Sequence, residues 1–502
     1  MIKFDFKVRQ KQHAATPDQV DKQKCWIVLF PESAVSARGR RDRFAYLDLL
    51  IARQDLPVVM KAGTEMYVSD LPNAVGSRVA YACIHPDLKS FELLTLARKL
   101  VAVHKSARSG RIALDVSAFS TRQRQRLCEA IVAAAAAASV AMPSFKSKPN
   151  EAPLLRQLEI YGLVEQDGYS RTLAEAEGNA LCRYLSILPP NKLTPTEYLA
   201  TIKTLTKQHG WKLEFLDIAA LKQKQAGAFL AVAQGSPVPD AGIVRLRYSP
   251  TKKGGTKSGL ALVGKGICYD TGGTNLKPAK FMYGMHEDMQ GSAVVLGVLL
   301  ALTRMKVDFP VECWLALAMN HIGPLAYKPN DVVTAADGTT IEIIHTDAEG
   351  RMVLADTLVF ASERKPSLLI DYATLTGACV YSVGTAYSGV FTNQHGAINK
   401  LIQAGVDSGE RVWPFPLDED YDESLKSDIA DVKQCALEGY ADHIMAARFL
   451  QRFVKHETPW VHIDLSSSRN KGGLAHIPTD TTGFGIRYTL NLLFDNKFID
   501  GY

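Results

Sequence analysis

The sequence predicts an α/β protein with a smaller N-terminal α/β domain and a larger C-terminal domain, whose central mixed, mainly parallel sheet is flanked by helices. The chain has 502 residues, more than one hydrophobic core usually serves. Hydrophobic residues make up 47% of it and charged residues 22%, which is typical of a folded globular protein and excludes wholesale disorder. Apolar strands alternate with amphipathic helices along most of the chain, and this alternation favours parallel strands that are buried on both faces.

The N-terminal domain is predicted to comprise residues 1–150 and to serve assembly or regulation. Its hydrophobic pattern mixes short apolar runs, at residues 25–30, 79–84 and 112–115, with helical stretches, the last of them over residues 122–140. Residues 142–153 are rich in Pro, Ser and Lys and lack periodicity, as linkers do. We therefore place the boundary in this segment and assign residues 151–502 to the C-terminal domain.

The C-terminal domain begins with a helix predicted over residues 171–188. The next helix begins at Thr194, whose side chain caps it, with Pro195 at its first position and Glu197 completing a capping box. Strands are predicted at residues 260–263, 311–318, 368–370 and 460–465, with helices over residues 291–304, 352–365 and 441–455. In a sheet of this kind, ligands bind at the carboxyl ends of the strands.

Charge and cysteine content exclude several classes of protein. Lys and Arg number 58 against 52 Asp and Glu, and the net charge of +6 by itself predicts neither a nucleic-acid nor a membrane partner. The eight cysteines are scattered without a CxxC pair, which favours reduced thiols. The first residues lack the apolar core of a secretion signal, and the alanine-rich residues 130–142 are shorter than the roughly 20 residues of a membrane helix. We therefore expect a cytoplasmic protein with no membrane partner.

Lysines and carboxylates gather where the predicted strands end. A glycine-rich segment, residues 264–273, is predicted to turn tightly and carries Lys265 and Asp270. A hairpin that turns at Asp337-Gly338 precedes a second group of charged residues just before a helix. The complete set is Lys265, Asp270, Lys277, Asp288, Asp347, Glu349 and Arg351. Because four carboxylates at one site repel one another unless cations lie between them, the set predicts a centre for divalent ions that share carboxylate ligands.

Each member of this set, taken alone, has an ordinary structural explanation. Asp270 suits a glycine-rich turn, and Asp347 and Glu349 suit the start of a helix. The lysines and the arginine could be solvated surface charges. Other kinds of site fit the sequence less well: Gln290 occupies the second histidine position of an H-E-x-x-H motif, and neither a P-loop nor a G-x-S-x-G elbow is present.

Longer strings around these residues resemble the leucyl aminopeptidase family of dinuclear metallopeptidases. The most specific string is T-D-A-E-G-R at residues 346–351, and G-K-G-I-C-Y-D-T-G-G-T-N-L-K-P at residues 264–278 agrees with it. Further matches occur at Asp288-Met289, Asn320, and residues 371–377, 411–417, 425–431 and 482–485. The resemblance covers roughly residues 170–490, whereas residues 1–150 match in size and α/β character alone.

The resemblance implies a role for each charged residue and for several neighbours. The implied metal ligands are Lys265, Asp270, Asp288, Asp347 and Glu349, with Asp270 and Glu349 shared between two ions. The implied catalytic pair is Lys277, which polarises the peptide carbonyl, and Arg351, which holds a bicarbonate that carries the proton. The substrate-binding residues would be Met285, Asn320, Thr374, Gly377 and Ser466, and the bicarbonate-binding residues Arg351, Leu375 and Gly377.

The implied reaction is hydrolysis that removes the N-terminal residue from peptides with a free N-terminus. The cofactors would be two divalent ions per subunit, zinc or manganese with magnesium and cobalt as alternatives, together with bicarbonate. Two such ions about 3.5–4 Å apart activate a water near neutral pH and help Lys277 to stabilise the oxyanion. The resemblance also implies a homohexamer whose active sites face an interior cavity.

Several residues depart from the family pattern. His345 and Met319 stand where the family usually has Asn and Glu, and we expect these changes to retune rather than abolish activity. Ser466, Ser467 and Arg469 stand where the family has small apolar residues that help to line the side-chain pocket, and a more polar pocket would leave a leucine preference open. Residues 438–443, E-G-Y-A-D-H, stand where the family tends to carry paired glycines before a helix.

Two other functions remain open from the sequence. Two-metal phosphoester hydrolysis uses similar carboxylate clusters, and a DNA-binding or scaffolding protein could keep the same fold. The basic tip of a predicted hairpin, residues 252–257, would favour nucleic acid. An arylamide assay against an aryl-phosphate assay, and salt-dependent retention on DNA, would separate these alternatives.

Overall fold

The computed structural model describes residues 4–36, 44–52, 65–85, 87–105, 110–148, 154–250 and 259–498. Two large β-sheets organise these residues, one of six strands and one of eight, with a small third sheet of three strands. Within the described ranges, no helix combines the length and the apolar character that crossing a membrane requires. The eight cysteines are buried.

The six-stranded sheet is built from the first part of the chain. Its strands are β1 (Lys7–Lys11), β2 (Cys25–Pro31), β3 (Tyr67–Asp70), β4 (Arg78–Ile84), β5 (Arg111–Asp115) and β6 (Gln157–Tyr161), in the order β1-β6-β5-β2-β4-β3. The helices of this part are α1 (Pro17–Lys22), α2 (Glu32–Ser36), α3 (Leu47–Ala52), α4 (Ser90–Ala102) and α5 (Thr121–Ala138). The predicted boundary between residues 150 and 151 lies outside the described residues, and β6, which follows it, belongs to this first sheet.

The second part of the chain supplies the other strands and helices. The strands are β7 (Lys212–Asp217), β8 (Gly242–Tyr248), β9 (Leu260–Asp270), β10 (Val311–Asn320), β11 (Val332–Thr334), β12 (Thr340–Glu342), β13 (Leu368–Ala373), β14 (Ser388–Thr392), β15 (Val412–Pro414), β16 (Val432–Lys433) and β17 (Trp460–Asp464). The helices are α6 (Ser170–Ile187), α7 (Pro195–His209), α8 (Ile218–Gln223), α9 (Gly227–Ala233), α10 (Ala279–Met282), α11 (Gln290–Met305), α12 (Glu349–Ser362), α13 (Gly377–Val383), α14 (Ile398–Ser408), α15 (Asp442–Gln451) and α16 (Ile486–Leu490). Short 3₁₀ turns cover Met285–Glu287, His395–Ala397 and Glu419–Leu425, and a π-helical turn covers Asn491–Asp495.

The eight-stranded sheet has the order β15-β14-β17-β13-β9-β10-β8-β7. Its four central strands, β17, β13, β9 and β10, run parallel, and antiparallel pairs occur toward both edges. Alternate residues of β9 face opposite cores: Leu262 packs with α6 and α11, and Val263 packs with α9 and α12. This burial on both faces confirms the predicted mixed, mainly parallel sheet between helices.

The glycine-rich segment after residue 263 does not turn as predicted. Strand β9 continues to Asp270, so Lys265 lies within the strand. A Cβ on Gly264 would come within 2.5 Å of the Ser292 Cα, and one on Gly266 within 2.7 Å of the Leu317 Cδ2. These glycines therefore allow helix α11 and strand β10 to approach β9 closely, and the chain turns only after Asp270.

Three local predictions have different outcomes. Thr194 caps α7 by accepting the N–H of Glu197, but the Glu197 carboxylate bonds the Thr194 hydroxyl instead of the backbone that a capping box requires. The hairpin at Asp337-Gly338 joins β11 to β12, with Gly338 at a φ of +89°. The helix predicted over residues 352–365 begins earlier, at Glu349, so Glu349 and Arg351 lie in its first turn rather than before it.

Candidate metal centre

The site forms at the carboxyl ends of two adjacent parallel strands. Asp270 ends β9 and Asn320 ends β10, and the two residues are paired in the sheet register. Asn320 Nδ2 donates a hydrogen bond to Asp270 Oδ1 over 2.8 Å and another to the Thr346 carbonyl over 3.0 Å. The asparagine thus connects the strand ends to the loop that carries Asp347.

Three carboxylates converge at this point. One ligand oxygen from each of Asp270, Asp347 and Glu349 lies within 4.8 Å of the others. Asp270 and Glu349 are buried and Asp347 is half-buried. Glu349 reaches the group because α12 begins at that residue, directly after the loop.

Two lysines join these carboxylates to a fourth, Asp288. Lys265 Nζ lies 2.9 Å from Asp288 Oδ2 and 2.8 Å from Glu349 Oε1. Lys277 Nζ lies 2.9 Å from Asp270 Oδ2 and 2.5 Å from Asp347 Oδ1. We call these six residues the carboxylate–lysine cluster: Lys265, Asp270, Lys277, Asp288, Asp347 and Glu349.

The electrostatics of the carboxylate–lysine cluster show an excess of negative charge. Burial and the neighbouring Glu349 charge raise the pKa of Asp270 to about 7. Burial, together with the charges of Glu349 and Asp270, raises the pKa of Asp288 to about 8 although Lys265 opposes the shift. Burial is the first cause of both shifts, and four carboxylates against two lysines add a mutual repulsion that a further cation would relieve.

The donor atoms of the carboxylate–lysine cluster fit divalent metal ions. Carboxylate oxygens suit magnesium, manganese and zinc, and the Lys265 amine adds a nitrogen donor when neutral. The convergence of Asp270, Asp347 and Glu349 agrees with that donor set. Cavities of ≈ 400 and ≈ 480 Å³ lie elsewhere, beside the first sheet, and no predicted site residue lines either one.

Arg351 lies beside the cluster but is already bound by protein groups. Its Nη1 donates to the Gln434 carbonyl over 3.1 Å, and its Nη2 lies 2.8 and 2.9 Å from the two carboxylate oxygens of Asp442. The Leu375 N–H, also predicted to bind bicarbonate, donates to Asp464 Oδ1 over 3.1 Å. Both of these groups therefore have partners within the chain.

The predicted substrate-binding residues divide into two groups. Thr374 and Asn320 join the cluster directly, since Thr374 Oγ1 donates to Asp288 Oδ1 over 2.8 Å and its carbonyl accepts from Lys265 Nζ over 2.9 Å. Met285, Gly377 and Ser466 lie on segments that adjoin the site, at three residues before Asp288, three after Thr374 and two after Asp464.

Arg469 is held by acidic side chains. Its Nη1 lies 2.5 Å from Glu287 Oε1, and its side chain is 56% exposed. An exposed ion pair of this kind places the arginine at the surface.

Sequence analysis missed several residues that hold the site in place. Gln434 Oε1 accepts the backbone N–H groups of Ile344 and His345, and its Nε2 donates to the Ala348 carbonyl. Gln434 follows the two-residue strand β16, too short to be predicted from its pattern. Asp442 did have a signal, since it lies in the segment E-G-Y-A-D-H that departs from the family pattern.

Comparison with known proteins places the chain in a family. The sequence profile of the cytosol aminopeptidase family, catalytic domain, matches residues 180–490. The chain belongs to the cytosol aminopeptidase family. A probable cytosol aminopeptidase of Stutzerimonas stutzeri is 38% identical over 421 residues, which cover 81% of this chain and 83% of that protein. A probable cytosol aminopeptidase of Wolbachia pipientis wMel is 42% identical over 332 residues, and the match spans 64% of its length.

Solved structures share the fold over nearly the whole chain. A variant of tomato leucine aminopeptidase has a TM-score of 0.83 and 26% identity, with 98% of this chain and 96% of that chain covered. The bottromycin maturation enzyme BotP, in complex with Mn, has a TM-score of 0.79 and 28% identity, with 94% of this chain and all of that chain covered. The cytosol aminopeptidase fold and the predicted family resemblance are confirmed.

Membership of the cytosol aminopeptidase family supports a metal-dependent aminopeptidase and favours neither alternative function. The acidic cluster and the manganese-bound relative agree with dependence on a divalent metal. The basic segment at residues 252–257, on which the nucleic-acid alternative depended, lies outside the described residues.

Proposed function

We propose that this protein is a dinuclear metallo-aminopeptidase that removes the N-terminal residue from peptides. The observation that carries the proposal is the carboxylate–lysine cluster, which lies at the carboxyl ends of parallel strands in a chain of the cytosol aminopeptidase family. A group of four carboxylates, three of them buried, lowers stability because its members repel one another. Divalent ions bound among the carboxylates would offset this repulsion.

The proposed metal ligands are Lys265, Asp270, Asp288, Asp347 and Glu349, with Asp270 and Glu349 shared between two ions. Their short mutual distances support this set. The ions would be zinc or manganese, with magnesium and cobalt as alternatives. When bound, they supply Lewis acidity for activating a water and polarising the scissile carbonyl.

Lys277 is proposed to bind the carbonyl oxygen of the scissile peptide bond. Asp270, Glu349 and Asp347 outweigh the effect of burial and raise the pKa of Lys277, which favours the ammonium form while these carboxylates carry no metal. A fixed positive charge that faces the oxygen stabilises the negative charge that develops there as the carbonyl is attacked.

Arg351 is proposed to hold the anion that carries a proton from the attacking water to the leaving amine. The family resemblance implies bicarbonate in this role, bound by Arg351 and the backbone of Leu375 and Gly377. Because Asp442 binds Arg351 and Asp464 accepts the Leu375 N–H, bicarbonate would have to displace protein carboxylates.

The substrate pocket is proposed to contain Met285, Asn320, Thr374, Gly377 and Ser466. Asn320 and Thr374 orient ligands of the metal centre, and the other three lie on adjoining segments. Ser466 is buried, so a hydroxyl replaces apolar surface in this region. The proposed substrates are peptides with a free N-terminus. Ser466 would alter which N-terminal side chain the enzyme prefers.

The assembly is proposed to be a homohexamer in the cytoplasm. Residues 1–150 are proposed to serve assembly or regulation, and residues 151–502 to form the catalytic domain. Strand β6, which pairs with β1 and β5, extends the first sheet to Tyr161. Light scattering tests the hexamer, since six copies of a 55.0 kDa chain are readily distinguished from one or two.

The first experiment is hydrolysis of a panel of aminoacyl arylamides by metal-stripped protein, before and after addition of manganese or zinc. Asp347→Ala removes a proposed ligand, and Asp428→Ala, at an exposed aspartate, is the matched control. We expect metal to restore cleavage in the wild type and in the control, and at least about a 1,000-fold lower rate in Asp347→Ala. Absence of cleavage with every metal and every side chain would reject the peptidase and make aryl-phosphate hydrolysis and DNA retention the next assays.

A further inference from the structure

Asp442 is held in a defined position at the start of helix α15. Ala441, directly before it, has a φ of +51°, in the left-handed region that glycine adopts easily and other residues rarely do. A residue with a Cβ keeps this conformation only where its surroundings impose it. The backbone therefore presents residue 442 in one orientation, toward Arg351.

The Asp442 carboxylate covers the Arg351 guanidinium from the solvent side. Both of its oxygens lie within hydrogen-bond distance of Arg351 Nη2, at 2.8 and 2.9 Å. The Arg351 side chain is 2% exposed and that of Asp442 is 26% exposed, so the carboxylate is the accessible member of the pair. A small anion that bound Arg351 from the solvent would therefore have to take the place of the Asp442 carboxylate.

This carboxylate is also close to the metal centre. Arg351 lies two residues after Glu349 on α12. Gln434, whose carbonyl accepts from Arg351, also binds the backbone of His345 and Ala348 in the loop that carries Asp347. Asp442 therefore lies at the accessible edge of the centre.

The cluster carboxylates and the nearby His462 already have close charged partners. The four carboxylates of the cluster are bound to lysines and are proposed as metal ligands. His462 is fully buried, and its Nδ1 lies 2.6 Å from Asp371 Oδ1. Asp442 differs from them because its single ion-pair partner, among the described residues, is an arginine that cannot take up a proton.

We propose that the Asp442 carboxylate is a built-in proton carrier of the hydrolysis, in the place that the resemblance assigns to an external bicarbonate. This inference rests on the proposed function. The attacking water transfers a proton to Asp442 while its oxygen bonds to the carbonyl carbon of the scissile peptide. Asp442 then gives this proton to the peptide nitrogen as the C–N bond breaks, which releases the N-terminal amino acid and restores the carboxylate. Arg351 orients the carboxylate and stabilises its charge.

A purely structural role for Asp442 makes different predictions. An acidic residue at the start of a helix complements the helix dipole, and an ion pair to a buried arginine satisfies that arginine. In that case the loss of Asp442 would lower stability, but no small anion would replace it in catalysis. Chemical rescue therefore separates the two roles.

The experiment compares Asp442→Gly and Asp442→Asn in sealed buffers depleted of carbon dioxide, with bicarbonate or formate added back. Glycine opens the space over Arg351, and asparagine fills it without a basic oxygen. Glu438→Gly, at an exposed residue of the same segment, is the control. Melting temperature and bound metal are measured for each variant to confirm folding.

We expect wild type and Glu438→Gly to change less than twofold on addition of bicarbonate. Asp442→Gly should lose about 100-fold or more in kcat without the anion, within the usual range for a lost acid–base group, and should recover at least tenfold with it. Asp442→Asn should remain slow in both buffers.

Three results would overturn the inference: a wild type that requires bicarbonate, an Asp442→Gly protein that is fully active without it, or a folded, metal-loaded Asp442→Gly protein that no anion rescues. Failure of the proposed function is a separate result, because the wild type would then cleave no arylamide under any condition.

Discussion

At the scale of single residues, the two lysines of the site differ from ordinary surface lysines in their burial and in their carboxylate partners. Lys265 is buried between Asp288 and Glu349, and Lys277 lies between Asp270 and Asp347. A buried ammonium is stable only when paired, so each lysine is held by the carboxylates that it neutralises. Lys265, the proposed ligand, and Lys277, the proposed catalytic lysine, therefore have similar surroundings. They differ in their place in the fold, since Lys265 lies within β9 and Lys277 follows the turn after it.

The role of Lys277 can be tested by removing its charge. Lys277→Met keeps the length of the side chain and removes the ammonium that would face the developing oxyanion. We expect kcat to fall about 100- to 1,000-fold, the usual cost of losing one such donor, while bound metal stays the same. The exposed neighbour Lys280 provides the control Lys280→Met. A variant with near wild-type kcat would exclude Lys277 from oxyanion stabilisation.

The charged residues that the structure brings together could be predicted from the sequence as one candidate site because their types and spacing are unusual together. T-D-A-E-G-R places Asp347 and Glu349 two residues apart at the start of a helix, and local geometry alone brings them close. The link between Arg351 and Asp442 could not be found in this way, because 91 residues separate them and packing alone brings them together.

At the scale of elements, strand β9 shows why glycine is ambiguous in a sequence. Gly264 and Gly266 suggested a turn, whereas the structure continues the strand and uses both residues for close packing. Glycine serves tight turns and close approach of elements equally well, and the difference depends on a neighbour that is distant in sequence. The partner here is Ser292 of α11, 28 residues further along the chain.

This packing predicts a strong effect of a single methyl group. In Gly264→Ala the added Cβ would lie 2.5 Å from the Ser292 Cα and 2.6 Å from the Gly291 carbonyl oxygen, both backbone atoms that cannot rotate away. We expect destabilisation at or above the upper end of the usual 1–3 kcal/mol for overpacking, seen as a lower melting temperature and lower soluble yield.

The matched control is Gly396→Ala, where an added Cβ would have no heavy atom within 4 Å. Its melting temperature should stay close to that of the wild type. Equal stability of the two variants would mean that α11 and β9 can move apart without cost, contrary to the close contact described.

At the scale of the whole molecule, the sheet decides where the site lies. The carboxyl ends of β9, β10, β13 and β17 meet at one edge because these strands are parallel neighbours. They contribute Asp270, Asn320, Thr374 and Asp464 to that edge, either as the last residue of the strand or as the one after it. Segments far apart in sequence therefore supply one centre.

This arrangement predicts how metal affects stability. Without metal, Lys265 and Lys277 already pair with the carboxylates, so the stripped protein should remain folded. Metal at 100 times its dissociation constant should add about 2.7 kcal/mol to the free energy of unfolding, because it binds the folded state alone. Scanning fluorimetry of chelator-treated protein with and without manganese measures the shift.

The same titration on Asp347→Ala should show a smaller shift, and on Asp428→Ala an unchanged one. A melting temperature that does not respond to metal in the wild type would count against a metal centre built from these residues. Unfolding of the wild type on metal removal would show that the positive charges of Lys265 and Lys277 do not offset the negative charge of the carboxylates.

The sequence by itself determined the family and the α/β class, and it predicted the lysines and carboxylates that the structure brings together, because those properties depend on periodicity and on residue types at short spacing. Tertiary structure decided what the glycines of β9 do, how Gln434 holds the loop before α12, and which carboxylate binds Arg351. These contacts join segments that are distant in sequence, and their geometry follows from how helices pack on the sheet, which local patterns do not encode.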